Sequence, residues 1–467
     1  MLILDDVTVL VIGLGTSGVS AAACCASRGA AVTVTDHRPA DQLGAGRDAL
    51  ASHSITYALG AQPPDPENFD LIIRSPGVPN DLPVLESARR LDIPVWSEVE
   101  LAYALCPCPI IAITGTNGKS TTTVLIGELL RAAGRTTHVA GNIGRPFTSA
   151  LTGMAADDVA VIEVSAGQLE NSHRFGPLTS VLTNVRPEHM DLYGWDYYIS
   201  LKSRVVRNHT ADRTTVANYD DDLCRSIAAN APGRVLYFTA HGELPADTEG
   251  VFLSGDWITA RFDGICRPVA RLDRLRVRGA TANILAAVAV GLLWGAAVEA
   301  VDALIAGYTG REHVIEYVAT FDDVAYYNDS KATNPWSVLH AVEAFPDRPV
   351  VLITGGKDDK NADFDGLCAA FADRVAHVVT IGETAPRIAA AARQHGYTAV
   401  TATHSLEEAV ALARRLAVPG HAVLFSPGAN SKDMFTDHRT RGELFKQVVE
   451  RLHASTALFG TAPGSDR

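Results

Sequence analysis

The chain has 467 residues, of which 47% are apolar and 20% are charged, and its formal net charge is −13. This length exceeds what one hydrophobic core supports, so we expect two to four domains. The acidic balance argues against nucleic acid or an anionic membrane as the main partner. An N-terminus with Asp5 and Asp6 but no basic region does not resemble a signal peptide, and the apolar run 284–298 is too short to span a membrane, so we expect a cytoplasmic protein with no membrane insertion.

The first segment alternates strand-like and helix-like stretches. Strands are predicted at "VTVLVIG" (7–13), "AAVTVTD" (30–36) and "DLIIRSPGV" (70–78), with a helix over residues 17–28. A series of strand, helix and strand predicts a parallel sheet. We place this first domain at residues 1–97.

A glycine loop, "GLGTSG", lies between the first strand and the first helix. Gly13, Gly15 and Gly18 are followed by Asp36 at the end of the next strand, which is the Rossmann fingerprint in its usual context. The glycines allow a phosphate to approach the helix N-terminus. The residues alone leave open whether the ligand is NAD, FAD or a uridine nucleotide.

The second and third segments are also α/β in pattern. The second, placed at 98–308, opens with the strand "PIIAIT" and a helix to residue 133. The strands "VAVIEVS", "SVLTNV" and "TTVANYD" follow, and a helix over 282–297 ends the segment. The third, placed at 309–467, contains the strands "VAYYNDS", "PVVLITGG", "HVVTIG" and "HAVLFSPG". Three such segments in series predict an α/β protein whose loops at the strand ends form the binding site.

A second glycine loop, "GTNGKS", follows the strand at 110–114. Gly118, Lys119 and Ser120 fit the phosphate-loop pattern, although Ile113 occupies the place of its first glycine. Backbone N–H groups would surround a phosphate, Lys119 would add a positive charge, and Ser120 could hold Mg²⁺.

Further candidate residues stand at the ends of other strands. Glu163 interrupts the apolar run "VAVIEVS", and burying it unpaired would be costly, so we expect a cation or a buried basic residue beside it. His189 follows a strand of the same segment and is a candidate ligand. In the third segment, "NDSKATN" carries Asp329, Lys331 and Thr333 where a strand ends, which is typical of a binding edge.

Taken together, these motifs resemble the Mur ligases, the ATP-dependent amide-bond ligases of peptidoglycan precursor synthesis. The residues "GTNGKST", "EVS..QLE", "HMD", "NDSKATNP", "GGK" and "SP....D.F....RG..F" occur in order from Val9 to about Phe445. The resemblance implies an N-terminal Rossmann-like domain for the uridine part of a UDP-sugar, a central P-loop ATPase-like domain, and a C-terminal Rossmann-like domain that closes over the site. The shorter loop form, beginning at Gly115, is then a family trait.

The resemblance also implies the reaction and its partners. ATP phosphorylates the alanyl carboxylate of UDP-N-acetylmuramoyl-L-alanine, and the amine of glutamate, most simply D-glutamate, attacks the acyl phosphate. Two Mg²⁺ sites are implied, together with a lysine, Lys202, that CO₂ carbamylates into an anionic ligand. We expect the enzyme to act as a monomer.

The family roles fall on the following residues of this chain. The implied catalytic residues are Lys119, Glu163, His189, Lys202 and Lys331, and the implied metal ligands are Ser120, Glu163, His189 and Lys202. ATP is implied to contact Gly115, Thr116, Asn117, Gly118, Lys119, Ser120, Thr121, Asn283, Asp329 and Lys331. The other substrates are implied to contact Thr16, Asp36, Arg38, Ser75, Gly77, Asn142, Ser165, Gln168, Thr333, Lys360 and Ser431.

Several positions depart from the family pattern and keep alternatives open. Val314 stands where an arginine facing ATP is usual, and Lys432 and His438 replace residues that are usually apolar or aromatic. The acceptor could therefore be L-glutamate or another acidic amino acid. A Rossmann NAD(P) oxidoreductase and a non-catalytic homologue are the two other hypotheses.

Overall fold

The computed structural model describes residues 3–358, 362–372 and 374–459, with residues 453–459 described by their backbone. Its named strands form three separate sheets, one from each of the three segments that the sequence predicts. The predicted α/β class is therefore confirmed.

The first sheet is built from residues 8–97. Its strands are β1 (Thr8–Ile12), β2 (Ala31–Asp36), β3 (Ile55–Leu59), β4 (Leu71–Arg74) and β5 (Val95–Ser97). They pair in the order β3-β2-β1-β4-β5, and every pairing is parallel. The helices of this segment are α1 (Thr16–Ala26), α2 (Gly44–Asp48) and α3 (Pro83–Arg90), and α4 (Glu98–Leu105) directly follows β5.

The second sheet has nine strands. They are β6 (Ile110–Thr114), β7 (Thr137–Gly141), β8 (Val159–Glu163), β9 (Thr179–Leu182), β10 (Thr214–Asn218), β11 (Arg234–Phe238), β12 (Gly250–Ser254), β13 (Trp257–Phe262) and β14 (Ile265–Arg271). Their order is β14-β13-β12-β11-β10-β9-β6-β8-β7, parallel except for the antiparallel pairs of β13 with β12 and β14. The helices are α5 (Lys119–Ala132), α6 (Phe147–Ala150), α7 (Ala166–Leu169), α8 (Trp195–Arg207), α9 (Asp222–Ala229), α10 (Thr281–Leu293) and α11 (Val298–Gly307).

The third sheet has six strands. They are β15 (Glu316–Phe321), β16 (Val324–Asn328), β17 (Val350–Gly355), β18 (Val375–Ile381), β19 (Val400–Ala402) and β20 (Ala422–Phe425). Their order is β15-β16-β20-β17-β18-β19, and only the pairing of β15 with β16 is antiparallel among these strands. The helices are α12 (Pro335–Glu343), α13 (Asp365–Ala369), α14 (Ala385–Gln394), α15 (Leu406–Leu416) and α16 (His438–Phe459).

The chain divides into two compact units. The first holds the first two sheets and comprises residues 1–185, 196–274 and 282–306. The second holds the third sheet together with the segments 186–195 and 275–281. Within the described residues, no helix is both long and apolar enough to cross a membrane.

The central strands explain why the predicted site residues gather at one edge of each sheet. Every residue of β6, β8 and β9 is buried, as expected for parallel strands covered by helices on both faces. In such a sheet, polar side chains become accessible to a ligand at the ends of the strands. Because neighbouring parallel strands end at the same edge, residues that are distant in sequence meet there.

Candidate active site

The glycine loop between β6 and α5 has the geometry of a phosphate-binding loop. Gly115 and Gly118 have φ angles of +152° and +81°, and α5 begins directly after Gly118. A Cβ at Gly118 would lie 2.1 Å from Asn283 Oδ1, and one at Gly115 would lie 1.9 Å from Thr183 Oγ1. Both positions therefore require glycine. The first turn of a helix presents N–H groups without partners inside that helix, so this loop suits an anion.

Asn184, just beyond β9, holds the loop in shape. Its side chain accepts a hydrogen bond from Asn117 N at 2.8 Å and donates to Asn117 O at 3.0 Å. Its backbone oxygen accepts from Thr116 N at 2.9 Å. The N–H groups of Thr116 and Asn117 are thus used within the protein to hold the loop in shape. The sequence prediction missed Asn184, although a polar residue after an apolar strand was visible in "SVLTNV".

Two lysine amines meet at one carbonyl oxygen of this loop. Lys119 Nζ donates to Gly115 O at 2.9 Å and to Thr116 O at 2.7 Å, and Lys202 Nζ donates to Gly115 O at 2.6 Å. Lys202 is 1% exposed, and its Nζ lies 5.2 Å from the centre of the Tyr198 ring. Two ammonium groups so close repel each other, and burial adds a desolvation cost. Lys119 and Lys202 thus both bond to the carbonyl oxygen of Gly115.

Glu163 ends β8, the strand beside β6, with Ile113 as its partner in register. It is 2% exposed, and its Oε1 accepts from Asn142 Nδ2 at 2.8 Å. Its Oε2 is buried and has no hydrogen-bond partner among the described residues. A buried carboxylate oxygen without a partner is costly, and Mg²⁺ prefers oxygen ligands. Glu163, with the partly exposed Ser120 in the first turn of α5, fits a divalent cation.

Asp36 stands at the carboxyl edge of the first sheet. Its carboxylate accepts from Leu14 N at 2.8 Å and pairs with Arg38 through Nε at 3.0 Å and Nη2 at 2.8 Å. The Arg38 guanidinium, above all, holds the pKa of Asp36 well below its usual range. Arg38 itself is 42% exposed and can still reach an anion such as a diphosphate.

Ser75, directly after β4, lies at the same end of the first sheet as Asp36. Its Oγ donates to Gly13 O at 3.0 Å. A Cβ at Gly18 would lie 1.8 Å from Gly13 O, so α1 can pack this close to the loop only with glycine there. Thr16, the first residue of α1, and Gly77, in the turn after β4, are both exposed.

Four further predicted residues of the first unit have contacts within the chain. Ser165 and Gln168 form a capping box at the N-terminus of α7, and Gln168 is 3% exposed. Asn283, in the first turn of α10, lies against Gly118, and Thr121 is buried in the first turn of α5. Substrate contacts of these four residues stay predictions.

In the second unit, Asp329 joins two strand ends. It follows β16, and its carboxylate accepts from Ser426 Oγ at 2.7 Å, just after β20, and from Ile315 N at 3.2 Å. Burial raises the pKa of Asp329 to about 7. Both carboxylate oxygens are used within the protein, so the structure gives Asp329 a part in joining these loops, and a direct ATP contact stays a prediction.

A cavity that is open to solvent lies at the same edge of the third sheet. Its wall comes from the loops after β16, β17 and β20 and from the segment that carries His189. The lining residues include Thr333, Asn334, Lys357 and Asn430. Glu188, also in the lining, accepts from Asn334 Nδ2 at 3.1 Å. Several polar groups converge on this open cavity, which suits a small polar ligand.

The remaining described residues among the predicted ones in the second unit line this cavity or lie close in sequence to residues that line it. His189 lines the cavity and has a φ of +58°, and Lys331 donates its backbone N–H to His313 O at 3.0 Å. Ser431 is 2% exposed and follows the lining residue Asn430. Lys360 lies outside the described residues. The predicted catalytic set is thus divided: Lys119, Glu163 and Lys202 belong to the first unit, and His189 and Lys331 to the second.

The raised pKa of Asp329 predicts a pH dependence of stability. Between its ordinary pKa, near 4, and about 7, the folded chain keeps a proton that the unfolded chain releases, so stability falls as pH rises through this window. Asp329→Asn should remove this loss, which is on the order of a few kcal/mol. Urea unfolding of the two proteins at pH 5 and pH 8 measures it.

Asp347→Asn is the control with the opposite sign. Arg278 pairs with Asp347 at 2.7 Å and lowers the pKa of Asp347 to about 2, so this carboxylate stabilises the fold at neutral pH and stops doing so only in acid. Asp347→Asn should therefore be less stable at pH 8. If Asp329→Asn behaved the same way, the buried carboxyl would be charged and paired in the native state, contrary to our reading.

A phosphate loop, a lysine on that loop and, on the neighbouring strand, a carboxylate oxygen with no partner among the described residues are together typical of a nucleoside-triphosphate-dependent enzyme. Comparison with known proteins names the family. Family models match residues 7–97 (Mur ligase MurD-like, N-terminal domain), 113–290 (Mur ligase middle domain) and 313–428 (Mur ligase, glutamate ligase domain). The chain belongs to the Mur ligase family, whose members are ATP-dependent ligases that form amide bonds.

Similar proteins match over almost their whole length. The UDP-N-acetylmuramoylalanine–D-glutamate ligase of Pelotomaculum thermopropionicum is 39% identical over 448 residues, covering 95% of this chain and 97% of that protein. The enzyme of the same name from Geotalea daltonii is 40% identical over 457 residues, with the same coverage. This identity confirms the resemblance, and it leaves the oxidoreductase hypothesis without support.

Solved structures support the same fold. The UDP-N-acetylmuramate–alanine ligase of Thermotoga maritima aligns with a TM-score of 0.55 at 19% identity, covering 96% of this chain and all of that chain. A pseudomurein peptide ligase type C of Methanothermus fervidus aligns with a TM-score of 0.55 at 17% identity and the same coverage. At such identities the likeness concerns the fold alone.

Proposed function

We propose that this chain adds D-glutamate to UDP-N-acetylmuramoyl-L-alanine in an ATP-dependent reaction of peptidoglycan precursor synthesis. The observation that carries the proposal is the pairing of the Lys119 loop with the buried, partly unsatisfied Glu163 on the next strand. The relatives named above carry this activity in their names, and each matches 95% of the chain.

The chemistry requires two anions to be brought together. A carboxylate resists attack until one of its oxygens leaves as phosphate, so ATP first makes the acyl phosphate, and the glutamate amine then displaces the phosphate. The carboxylate and the γ-phosphate repel each other as they approach. The Lys119 ammonium and the N–H groups at the start of α5 would offset that charge.

Glu163 and Ser120 would hold Mg²⁺ in the first unit, since an unsatisfied carboxylate oxygen and a hydroxyl are suitable ligands. When bound, the cation neutralises phosphate charge and polarises the phosphorus that is attacked. A second site with His189 and Lys202 is part of the proposal. It requires Lys202 as a carbamate, because an ammonium cannot coordinate a metal ion, and the repulsion between the Lys202 and Lys119 amines at Gly115 O favours that change.

The two other substrates are assigned to the remaining strand edges. The nucleotide end of the sugar substrate would meet Arg38, Ser75 and their neighbours in the first sheet, and its sugar–peptide end would meet Asn142, Ser165 and Gln168. Glutamate would enter the cavity of the second unit, and the residues that the resemblance assigns to its carboxylates are Ser431 and Lys360. A monomeric state and a cytoplasmic location remain part of the proposal.

An ADP-release assay with UDP-N-acetylmuramoyl-L-alanine, Mg²⁺ and a panel of amino acids tests this function. We expect turnover with D-glutamate to exceed turnover with L-glutamate, alanine or diaminopimelate. Preference for L-glutamate would keep the reaction class and change the acceptor. Failure to release ADP with any acidic amino acid would refute the function, and NADH binding without ATP turnover would point to an oxidoreductase.

A further inference from the structure

Arg74 and Glu170 form a buried ion pair that joins the first sheet to the central segment. Arg74 ends β4, and Glu170 directly follows α7. Arg74 Nη1 lies 2.8 Å from Glu170 Oε2, and the two side chains are 3% and 5% exposed. The two atoms are close but are not aligned as a hydrogen bond, so the contact is an ion pair in surroundings that screen charge weakly.

The Arg74 guanidinium also shapes the turn that follows β4. Its Nε donates to Val78 O at 2.7 Å, and its Nη2 lies 3.5 Å from Pro76 O. Ser75 and Gly77, which are assigned to the nucleotide end of the substrate, belong to this turn. One side chain therefore holds the turn and reaches beyond it to the central segment.

Glu170 is held on the central side. Tyr197, on α8, donates its hydroxyl to Glu170 Oε1 at 3.2 Å, and Arg204 Nη1 donates to the backbone oxygens of Leu169 and Glu170. Glu170 lies immediately after α7, whose N-terminal residues Ser165 and Gln168 are assigned to the sugar–peptide end of the substrate. The ion pair thus connects the two halves of one proposed binding site.

We propose that Arg74 and Glu170 are positioning residues that keep the nucleotide subsite and the sugar–peptide subsite at a fixed separation. The inference rests on the proposed function. A ligand that spans two subsites binds more tightly than its fragments because the second contact is intramolecular, and this advantage depends on the geometry between the subsites. Loosening the pair should weaken binding of the whole substrate far more than binding of a fragment.

Calorimetric Kd values for UDP alone and for UDP-N-acetylmuramoyl-L-alanine test the inference. In Glu170→Gln, which removes the charge and keeps the shape, we expect Kd for UDP to change by less than about twofold and Kd for the whole substrate to rise about tenfold or more. Glu249→Gln is the matched control. It breaks the ion pair with Arg234, at 2.9 Å in the same unit, and should leave the ratio of the two Kd values unchanged.

Removing one partner of a buried pair leaves a charge without compensation and can destabilise the fold. A second variant therefore tests the inference without an unpaired buried charge. Arg74→Met combined with Glu170→Met removes both charges, and with them the bond from Arg74 Nε to Val78 O, so Kd for UDP should also rise, but by a smaller factor than Kd for the whole substrate. Thermal unfolding establishes that each variant is folded.

The outcomes separate the two proposals. A folded variant with an unchanged Kd ratio, or one that loses affinity for UDP and for the whole substrate equally, would overturn the positioning role alone. An unaltered chain that binds UDP but not the sugar–peptide substrate would refute the proposed function, and the positioning role with it.

Discussion

Lys119→Ala should lower the rate of ADP release by on the order of 10³-fold while leaving the affinity for UDP-N-acetylmuramoyl-L-alanine nearly unchanged. Lys119 Nζ is held over the phosphate loop by Gly115 O and Thr116 O, where it can offset charge on a transferring phosphoryl group. The assigned sugar-nucleotide contacts lie on other strand ends of the first unit. Steady-state ADP release and calorimetry of the sugar nucleotide measure the two effects separately.

Arg131→Ala is the control for Lys119→Ala, because Arg131 is a cation in the last turn of the same helix and donates to Thr137 O at 3.2 Å, away from the loop. It should keep the rate of ADP release. If Lys119→Ala lost ATP turnover and sugar-nucleotide binding together, the assignment of the two glycine loops to two different ligands would be wrong.

The two glycine loops could be predicted because their chemistry lies in consecutive residues. A tight turn, a positive φ and a helix N-terminus each demand a certain residue type at a certain place, and "GLGTSG" and "GTNGKS" supply them within six residues. Glu163 was found for a related reason, since burying a carboxylate in an apolar strand is costly unless a cation or a basic residue compensates its charge. The structure confirms that it is buried and that one of its oxygens has no partner among the described residues.

The residues that hold the site in shape could not be predicted in this way. Asn184 contacts Asn117, which lies 67 positions earlier in the chain, and Arg74 forms an ion pair with Glu170 in another segment. Nothing in either local sequence reveals the partner, because the contact exists only after two strands have been placed side by side. Arg441 is a further case: it is 1% exposed, and its guanidinium bonds to Ser330 and Ala429, two residues of different loops.

The strands β12–β14 and β15 were missed for a different reason. Parallel central strands are continuously apolar and stand out in the sequence, whereas the residues of β14 and β15 are largely exposed or only partly buried. β13 and β14 are antiparallel extensions at one edge of the second sheet, and β15 is an antiparallel edge strand of the third. The predicted site residues instead follow the carboxyl ends of other strands. Missing these outer strands therefore did not change the functional prediction.

Lys202→Ala should reduce ADP release by about 100-fold or more, and a small carboxylate such as acetate should restore part of it. The side chain lies 1% exposed beneath the loop, so its removal leaves a space that an anion of similar size can enter. In this interpretation the lost group is a carbamate, and an added carboxylate supplies the same negative oxygen. The rate of ADP release as a function of acetate concentration measures the rescue.

Lys202→Arg separates a carbamate from an ammonium at this position. Arginine keeps the positive charge near Gly115 O but cannot carry a stable carbamate, so Lys202→Arg should be as inactive as Lys202→Ala and should gain nothing from acetate. Removing dissolved CO₂ should slow the unaltered enzyme and leave both variants unaffected. An active Lys202→Arg would show that the site needs a cation, and full activity in Lys202→Ala would show that it needs neither charge. In either case the second metal site would lose its proposed ligand, and Glu163 with Ser120 would be the remaining place for Mg²⁺ in the first unit.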